Sequence, residues 1–197
     1  MTGMKPSIAL DRAEILENLG PLAQLAGSWE GVSGHDTAPS DDRGTEINLY
    51  RERMTFDPFG PVDNHEQKLF GLRYSTVVHR LDEPDPFHEE TGYWLWDSKA
   101  GLVMRCFLVP RGISVIAGGM VAAGAKEFAL EATLGSSTFG ICSNPFLDRE
   151  FKTVRYTLQL SVAQSGTALD YEEVTFLQMP GRMELFRHVD KNSLKKI

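Results

Sequence analysis

Two hydrophobic periodicities divide the chain. Over residues 11–25 the apolar residues are spaced by three or four positions, which is typical of a helix, and Gly20-Pro21 interrupts the pattern. We therefore predict one helix to about Asn18 and a short second helical turn over residues 21–26. After Gly27 the alternation has a period of two, with many β-branched and aromatic residues, which indicates β-strands to the end of the chain.

Ten segments after Gly27 show this alternation, and short turns rich in glycine, proline and serine separate them. The predicted strands are residues 28–34, 46–56, 65–81, 88–97, 101–110, 113–120, 126–133, 150–162, 168–179 and 183–197. A long antiparallel meander usually closes, because closure removes its exposed edges. We predict an all-β fold, a ten-stranded antiparallel up-and-down β-barrel with a short N-terminal helix. We divide it into a helical segment at 1–20 and one barrel domain at 21–197.

Alternation within the strands predicts one apolar and one wet face. In segment 150–162 the apolar side chains share a face: Val154, Tyr156, Leu158, Leu160 and Val162. Ten strands make a wider barrel than the eight-stranded barrel that side chains alone just fill, so we expect an internal ligand cavity. We expect loops at the longer connections, residues 35–45, 57–64, 82–87 and 135–148.

Charge and composition exclude several classes of protein. The 197 residues contain 20 lysines and arginines against 27 aspartates and glutamates, a net charge of −7. Such a chain repels phosphate groups, which argues against nucleic acid or an anionic membrane as a partner. No apolar run approaches the ~20 residues that span a bilayer, and the first residues do not resemble a signal peptide. Two cysteines are too few for a disulfide scaffold, so we expect a cytoplasmic protein.

The local motifs of common active sites do not occur in the sequence. No two of the five histidines have H-x-H or H-x-x-x-H spacing, which argues against a local zinc site. No serine lies in a G-x-S-x-G motif, and no glycine-rich run has the ending of a phosphate-binding loop. C-x-x-C-H, the attachment motif of c-type haem, is also missing.

Several short motifs resemble known β-barrel families. A G-x-W motif, Gly27-Ser28-Trp29, lies at the start of the first strand and is similar to that of the calycins, which include lipocalins and fatty-acid-binding proteins. The run from His88 to Tyr93 resembles the H-x-E-x-G-[YF] motif of the nitrobindins, which are ten-stranded haem-binding barrels. Further pieces resemble later nitrobindin motifs in the same order: Pro110-Arg111-Gly112, Gly118-Gly119, Leu169-Asp170-Tyr171, Met179 and Leu185-Phe186-Arg187-His188-Val189. The resemblance covers residues 22–197.

The nitrobindin resemblance implies a b-type haem in the mouth of the barrel. By this resemblance His188, on the last strand, binds the haem iron, and His88 lies near the open side of the haem. A neutral imidazole on a rigid strand is a suitable axial ligand. The family is associated with nitric oxide binding and with isomerisation of peroxynitrite to nitrate on ferric haem. The chain would then be a peroxynitrite isomerase if it binds haem. In calycins the G-x-W tryptophan, here Trp29, closes the bottom of the barrel.

Two other interpretations stay open from the sequence. The barrel could carry a fatty acid or another apolar small molecule without haem, as fatty-acid-binding proteins do. In that case an inward arginine or tyrosine would hold the ligand carboxylate, with Arg105, Arg155 and Tyr171 as candidates. The barrel could also act as an enzyme on another substrate or as an interaction module. A homodimer formed through an edge or a loop is compatible with each interpretation.

Overall fold

A short helical segment precedes the sheet in the computed structural model, which describes residues 10–197. The first part of the 1–20 segment, residues 1–9, lies outside the described residues. Helix α1 spans Arg12–Asn18 and a 3-10 helix follows at Gly20–Leu25, as the sequence predicted. Asp11 caps α1 by accepting a hydrogen bond from the Glu14 amide, while the Glu14 side chain accepts one from the Asp11 amide. This reciprocal capping box fixes where the helix begins.

Antiparallel strands make up most of the rest of the chain. They are β1 (Gly27–Ala38), β2 (Glu46–Asp63), β3 (Lys68–Arg80), β4 (His88–Asp97), β5 (Leu102–Val109), β6 (Ile113–Met120), β7 (Glu127–Thr133), β8 (Ile141–Ser143), β9 (Lys152–Val162), β10 (Ala168–Gln178) and β11 (Phe186–Lys196). A second helix, α2, spans Pro145–Glu150. All strands except β8 pair in chain order, and β11 returns to pair with β1. The predicted ten-stranded antiparallel barrel with a short N-terminal helix is therefore confirmed.

Strands extend into two of the connections predicted as loops. β1 continues to Ala38, inside the predicted loop 35–45, and β2 continues to Asp63, through nearly all of 57–64. Proline usually interrupts a strand, and this second segment contains Pro58 and Pro61. Instead, β2 shifts register against β3 between Phe59 and Val62 and continues beyond Pro61. A bulge is one of the few places where a strand accommodates proline.

The predicted loop 135–148 also contains regular structure. Strand β8 pairs with the first residues of β6, and α2 begins directly afterwards. The Asn144 side chain accepts hydrogen bonds from the amides of Phe146 and Leu147, and Pro145 occupies the first turn. Asparagine followed by proline is a helix-start signal, so the sequence did contain the information that this prediction missed.

One end of the barrel is closed by apolar side chains. Leu22 and Leu25 of the 3-10 helix are fully buried there, as is Trp29 at the start of β1. The Trp29 indole nitrogen donates a 2.7 Å hydrogen bond to the Leu25 carbonyl oxygen, which ties the 3-10 helix to the barrel. We call this the capped end. Among the described residues, no helix has the length and apolar character needed to cross a membrane.

Two depressions lie on the outer surface of the barrel, with volumes of about 540 and 430 Å³. Outward-facing side chains of β7, β9 and β10 contribute to both, including Ala129, Gln159 and Glu172. Neither depression is bounded by His88 or His188. The internal cavity expected for a ten-stranded barrel therefore stays a prediction.

Candidate functional site

The two histidines predicted to bind the cofactor lie at the same end of the barrel, opposite the capped end. His188 is on β11, in phase with buried Phe186 and Asn192, and His88 is on β4, in phase with buried Glu90. Both side chains are partly buried, with exposed fractions of 35% for His188 and 32% for His88. Because alternate strand residues face the same side, both histidines face the interior. We call this the histidine end.

Asp36 is the direct partner of His188. Nε2 of His188 lies 2.7 Å from Oδ1 of Asp36, a residue of β1 that is 5% exposed. The other carboxylate oxygen of Asp36 accepts a 2.9 Å hydrogen bond from the Asn48 side chain. Oδ1 of Asn48 accepts a 2.8 Å hydrogen bond from Nε of Arg80. The imidazole of His188 is thus oriented by a chain of polar side chains that crosses β1, β2 and β3.

A bulge in β1 brings Asp36 to this position. The register of β1 shifts against β2 between Gly31 and Gly34, where Val32 and Ser33 are both exposed. Two successive outward residues move the inward phase from odd-numbered to even-numbered positions, so Trp29 and Asp36 both face the interior. An undisturbed strand would turn Asp36 to solvent.

His88 belongs to a separate group of charged side chains. Its Nε2 lies 3.3 Å from Oε1 of Glu90. The other oxygen of Glu90 accepts hydrogen bonds from the Arg105 guanidinium at 2.5 Å and from the Tyr74 hydroxyl at 2.8 Å. Arg105 also contacts the carboxylate of Glu173. We call Glu90, Arg105 and Glu173 the charged layer. It crosses the inside of the barrel from β4 through β5 to β10.

Arg105 is the centre of the charged layer and is only 1% exposed. Its guanidinium carbon lies 4.3–5.8 Å from the centroids of four aromatic rings. Those rings belong to Tyr74, Trp94, Phe107 and Tyr156. Aromatic faces attract a desolvated cation, and two carboxylates neutralise it. The charge of Arg105 is therefore satisfied within the protein.

The charged layer shifts the pKa values of its neighbours. Burial opposes ionisation of Glu90, but Arg105 and the hydrogen bonds from His88 and Tyr74 outweigh it and lower the Glu90 pKa to about 2. Burial likewise disfavours the charged form of His88, but Glu90 raises the His88 pKa to about 9. Burial and the nearby charge of Glu90 raise the pKa of Glu173 in spite of Arg105. His88 is accordingly an imidazolium at neutral pH.

A second polar group lies beside the charged layer, on β2, β10 and β11. The Tyr171 hydroxyl donates a 2.8 Å hydrogen bond to Glu52, and it lies 2.9 Å from the Tyr50 hydroxyl, which donates to Asp190. Glu52 also accepts hydrogen bonds from Thr76 and Asn192. Burial is the main cause that raises the pKa values of both carboxyl groups, which favours their neutral forms.

The three residues expected to hold the carboxylate of an apolar ligand are engaged elsewhere. Arg155 faces outward on β9 and forms an exposed ion pair with Glu131 at 2.6 Å. Arg105 does face the interior, but Glu90 and Glu173 neutralise it. Tyr171 is buried and donates its hydroxyl proton to Glu52. A ligand carboxylate would have to displace one of these partners.

Sequence reasoning missed most of the acidic side chains inside the barrel. Alternation along a strand turns neighbouring glutamates to opposite faces, and Glu90 is buried whereas Glu89 is exposed. A usable signal was present for four inward carboxyl groups, because each occupies a position in phase with buried neighbours on its own strand. The positions concerned are Glu52, Glu90, Glu173 and Asp190. A charged residue at such a position indicates a paired or functional group.

Comparison with known proteins identifies the family of this chain. The family model of the THAP4-like, heme-binding beta-barrel domain matches residues 18–196. The chain belongs to this family. The nitrobindin-like resemblance is thereby confirmed for nearly the whole chain. The family is described as a haem-binding β-barrel domain.

A solved structure with the same fold comes from M. tuberculosis, the crystal structure of Rv2717c. The two chains superpose with a TM-score of 0.66 over 95% of this chain and 99% of Rv2717c, at 23% sequence identity. At this identity the likeness shows the fold alone. None of the curated proteins compared with this chain matches it in sequence.

The donor set at the histidine end fits a haem ligand. Histidines that bind metals usually donate their second ring N–H to a carboxylate or carbonyl group, and the Nε2 contact of His188 with buried Asp36 has this form. The same end carries a small apolar cluster of Leu177, Met179 and Phe186, with Phe151 packed against it. An imidazole oriented by a carboxylate beside apolar side chains suits a porphyrin edge and its iron.

Proposed function

We propose that this barrel binds haem at the histidine end, with His188 as the axial ligand of the iron. The single observation that carries the proposal is the inward position of His188 together with its 2.7 Å hydrogen bond to buried Asp36. His88 is the weaker candidate for the iron, because its carboxylate contact is 3.3 Å long and its raised pKa favours the protonated ring. A protonated imidazole has no lone pair for a metal.

The closed end of the barrel supports this direction of approach. Leu22, Leu25 and Trp29 are fully buried at the capped end and fill the space between the strands. The charged layer lies between them and the histidine end. A large flat ligand therefore enters from the histidine end and stops above the charged layer, because displacing paired buried charges costs several kcal/mol.

A non-covalent, b-type haem suits the cysteines of the chain. Cys106 alternates with inward Arg105 and Phe107 on β5, so it faces outward, and Cys142 is exposed on β8. The sequence contains no C-x-x-C-H motif. Retention then depends on the axial ligand and on packing around the porphyrin.

Bound haem would supply an iron atom for nitric oxide binding and for the isomerisation of peroxynitrite to nitrate. His88 would assist from another side of the interior, since β1, β2 and β3 separate its strand from β11. Its imidazolium donates hydrogen bonds and carries a positive charge, which favours an anionic oxygen in front of it. The Glu90 carboxylate, 3.3 Å from Nε2 of His88, forms an ion pair with the imidazolium and orients the ring.

We also propose that the protein has no nucleic-acid or anionic-membrane partner, because its net charge of −7 repels phosphate groups. The cytoplasmic location and a homodimer also stay predictions.

A visible absorption titration of the purified protein with ferric haem tests the proposal. We expect a saturable Soret shift in the wild type and in His35→Ala, and its loss in His188→Ala. His35 is a matched control, because it lies next to Asp36 on β1 but faces the other side of the strand. Circular dichroism should show that each variant keeps the barrel. Unchanged haem affinity in His188→Ala would reject the axial role.

A further inference from the structure

Asp36 is built into the barrel more firmly than an ordinary surface aspartate. Its carboxylate is nearly fully buried, and each oxygen has a separate partner, His188 for Oδ1 and Asn48 for Oδ2. Asn48 is held in turn by Arg80, which also forms an ion pair with Glu83 at 3.1 Å. Side chains of β2 and β3 therefore fix the direction in which Asp36 faces His188.

We propose that Asp36 is a positioning residue that prepares the His188 ring to bind iron. Its carboxylate accepts the Nε2 proton of His188, which fixes the neutral tautomer and the rotation of the ring and leaves the lone pair on Nδ1. The role rests on the proposed function of His188. No assignment from the sequence includes Asp36, because the bulge that turns it inward is not apparent in the alternation.

Two physical effects follow from this arrangement. A neutral imidazole has one protonated nitrogen, and the hydrogen bond at that nitrogen decides which nitrogen is free for a metal. A carboxylate acceptor also makes the imidazole a more basic ligand. Both effects need a fixed carboxylate, and the hydrogen bond from Asn48 supplies that rigidity. Replacement of such a partner typically lowers metal affinity about 10- to 100-fold.

The backbone of β1 supports the same position. A side chain at Gly34 would place its Cβ 2.1 Å from the Tyr50 ring, so only glycine allows Tyr50 to lie against the strand there. Gly34 follows the bulge at Val32 and Ser33 and precedes Asp36 by two residues. The bulge and the glycine together are what keep Asp36 facing the interior beside β11.

The first test uses the ligand-free protein. In ¹⁵N-labelled histidine spectra we expect His188 to be a single tautomer with a protonated Nε2 and a bare Nδ1. Asp36→Ala should give a mixture of tautomers. Asp36→Asn has only one acceptor oxygen for two donors, the His188 Nε2 and the Asn48 amide, so it should lose the Nε2 tautomer to a smaller extent. Asp170→Ala is the matched control, since Asp170 is exposed on β10 and bonds Ser193. A His188 tautomer that Asp36→Ala leaves unchanged would overturn the proposal.

The second test is the ferric haem titration of the same variants. We expect about a 10- to 100-fold weaker affinity for Asp36→Ala, an intermediate loss for Asp36→Asn and wild-type affinity for Asp170→Ala. If wild-type protein binds haem and Asp36→Ala binds it equally well or better, the positioning role alone is overturned. If wild-type protein fails to bind haem, the proposed function is overturned and the positioning role with it. If Asp36→Ala does not fold, the haem titration of Asp36→Asn decides, and wild-type affinity in that variant overturns the positioning role.

Discussion

The two halves of the barrel interior are stabilised in different ways. At the capped end Leu22, Leu25 and Trp29 are fully buried, and the stabilisation there comes from apolar surface removed from water, at about 25 cal/mol per Å². Toward the histidine end the interior is crossed by Glu90, Arg105 and Glu173, where burial costs free energy unless every charge is paired. The capped half therefore stabilises the barrel, whereas the burial of polar groups in the histidine half lowers its net stability.

The contrast indicates why the charged layer lies where it does. Replacement of buried ion pairs by well-packed apolar residues is often neutral or stabilising, so stability alone does not explain three buried charged side chains. They do fix the charge and position of His88, one inward residue away from Glu90. Our hypothesis is that the charged layer separates the apolar side chains of the capped end from a polar ligand site at the histidine end.

Loss of Arg105 should have the largest effect on stability. Arg105→Met removes the cation that Glu90 and Glu173 share, and only His88 stays as a cationic partner, beside Glu90. Removal of one partner from a buried pair costs about 3–5 kcal/mol, and here two carboxylates lose the same partner, so we expect a loss of about 5 kcal/mol. Urea denaturation followed by tryptophan fluorescence measures it.

A compensated variant separates the loss of charge from the loss of packing. Arg105→Met combined with Glu90→Gln and Glu173→Gln contains no charge in the layer and should recover most of the lost free energy of unfolding. If the triple variant is as unstable as Arg105→Met alone, the packing of the guanidinium against the four aromatic rings matters more than its ion pairs, and the contrast between the two halves fails.

The matching change in the capped half is Trp29→Ala. No buried ion pair is broken there, because Trp29 contributes size, one hydrogen bond to the Leu25 carbonyl and a ring that lies 5.1 Å from the Lys196 ammonium. Truncation of a fully buried tryptophan costs about 3–5 kcal/mol, and we expect about 4 kcal/mol by the same urea measurement. Trp29→Phe, which keeps most of the volume, should cost about 1–2 kcal/mol. A thermal midpoint of Trp29→Ala within a degree of the wild type would contradict a closing role.

The fold could be predicted in detail because its signals are local. Alternation and turn residues gave the bounds of β4 and β6 as the structure has them, His88–Asp97 and Ile113–Met120. Closure followed from the number of consecutive hairpins. Two of the three errors occurred where a strand contains an irregularity, as at Pro61 in β2 and at Ala38, beyond the bulge of β1. Such irregularities depend on contacts with neighbouring strands, which the local pattern does not contain.

The candidate site could be predicted only in part. The nitrobindin resemblance named His188, but its partner Asp36 is 152 positions away in the sequence. Arg105 and Glu173 are likewise separated by 68 positions. Pairs of this kind depend on the register between strands and on barrel closure, and neither can be derived from the pattern of one strand.

The smallest expected effect concerns the pH dependence of stability at His88. The pKa of His88 in the folded protein is about 9, above the ordinary value of 6.5. The protonated ring therefore stabilises the fold fully below pH 6.5, and this stabilisation is lost as the pH rises through 9. The His88 side chain is 32% exposed, so solvent screens part of this effect. We expect the free energy of unfolding of the wild type to exceed that of His88→Gln by about 1–2 kcal/mol at pH 6. The difference should vanish at pH 10. Urea denaturation at the two pH values measures it, and Glu90→Gln should move the NMR-determined pKa of His88 back toward 6.5. An equal difference at both pH values would mean that His88 contributes packing rather than charge, and Glu90 would then stabilise Arg105 alone.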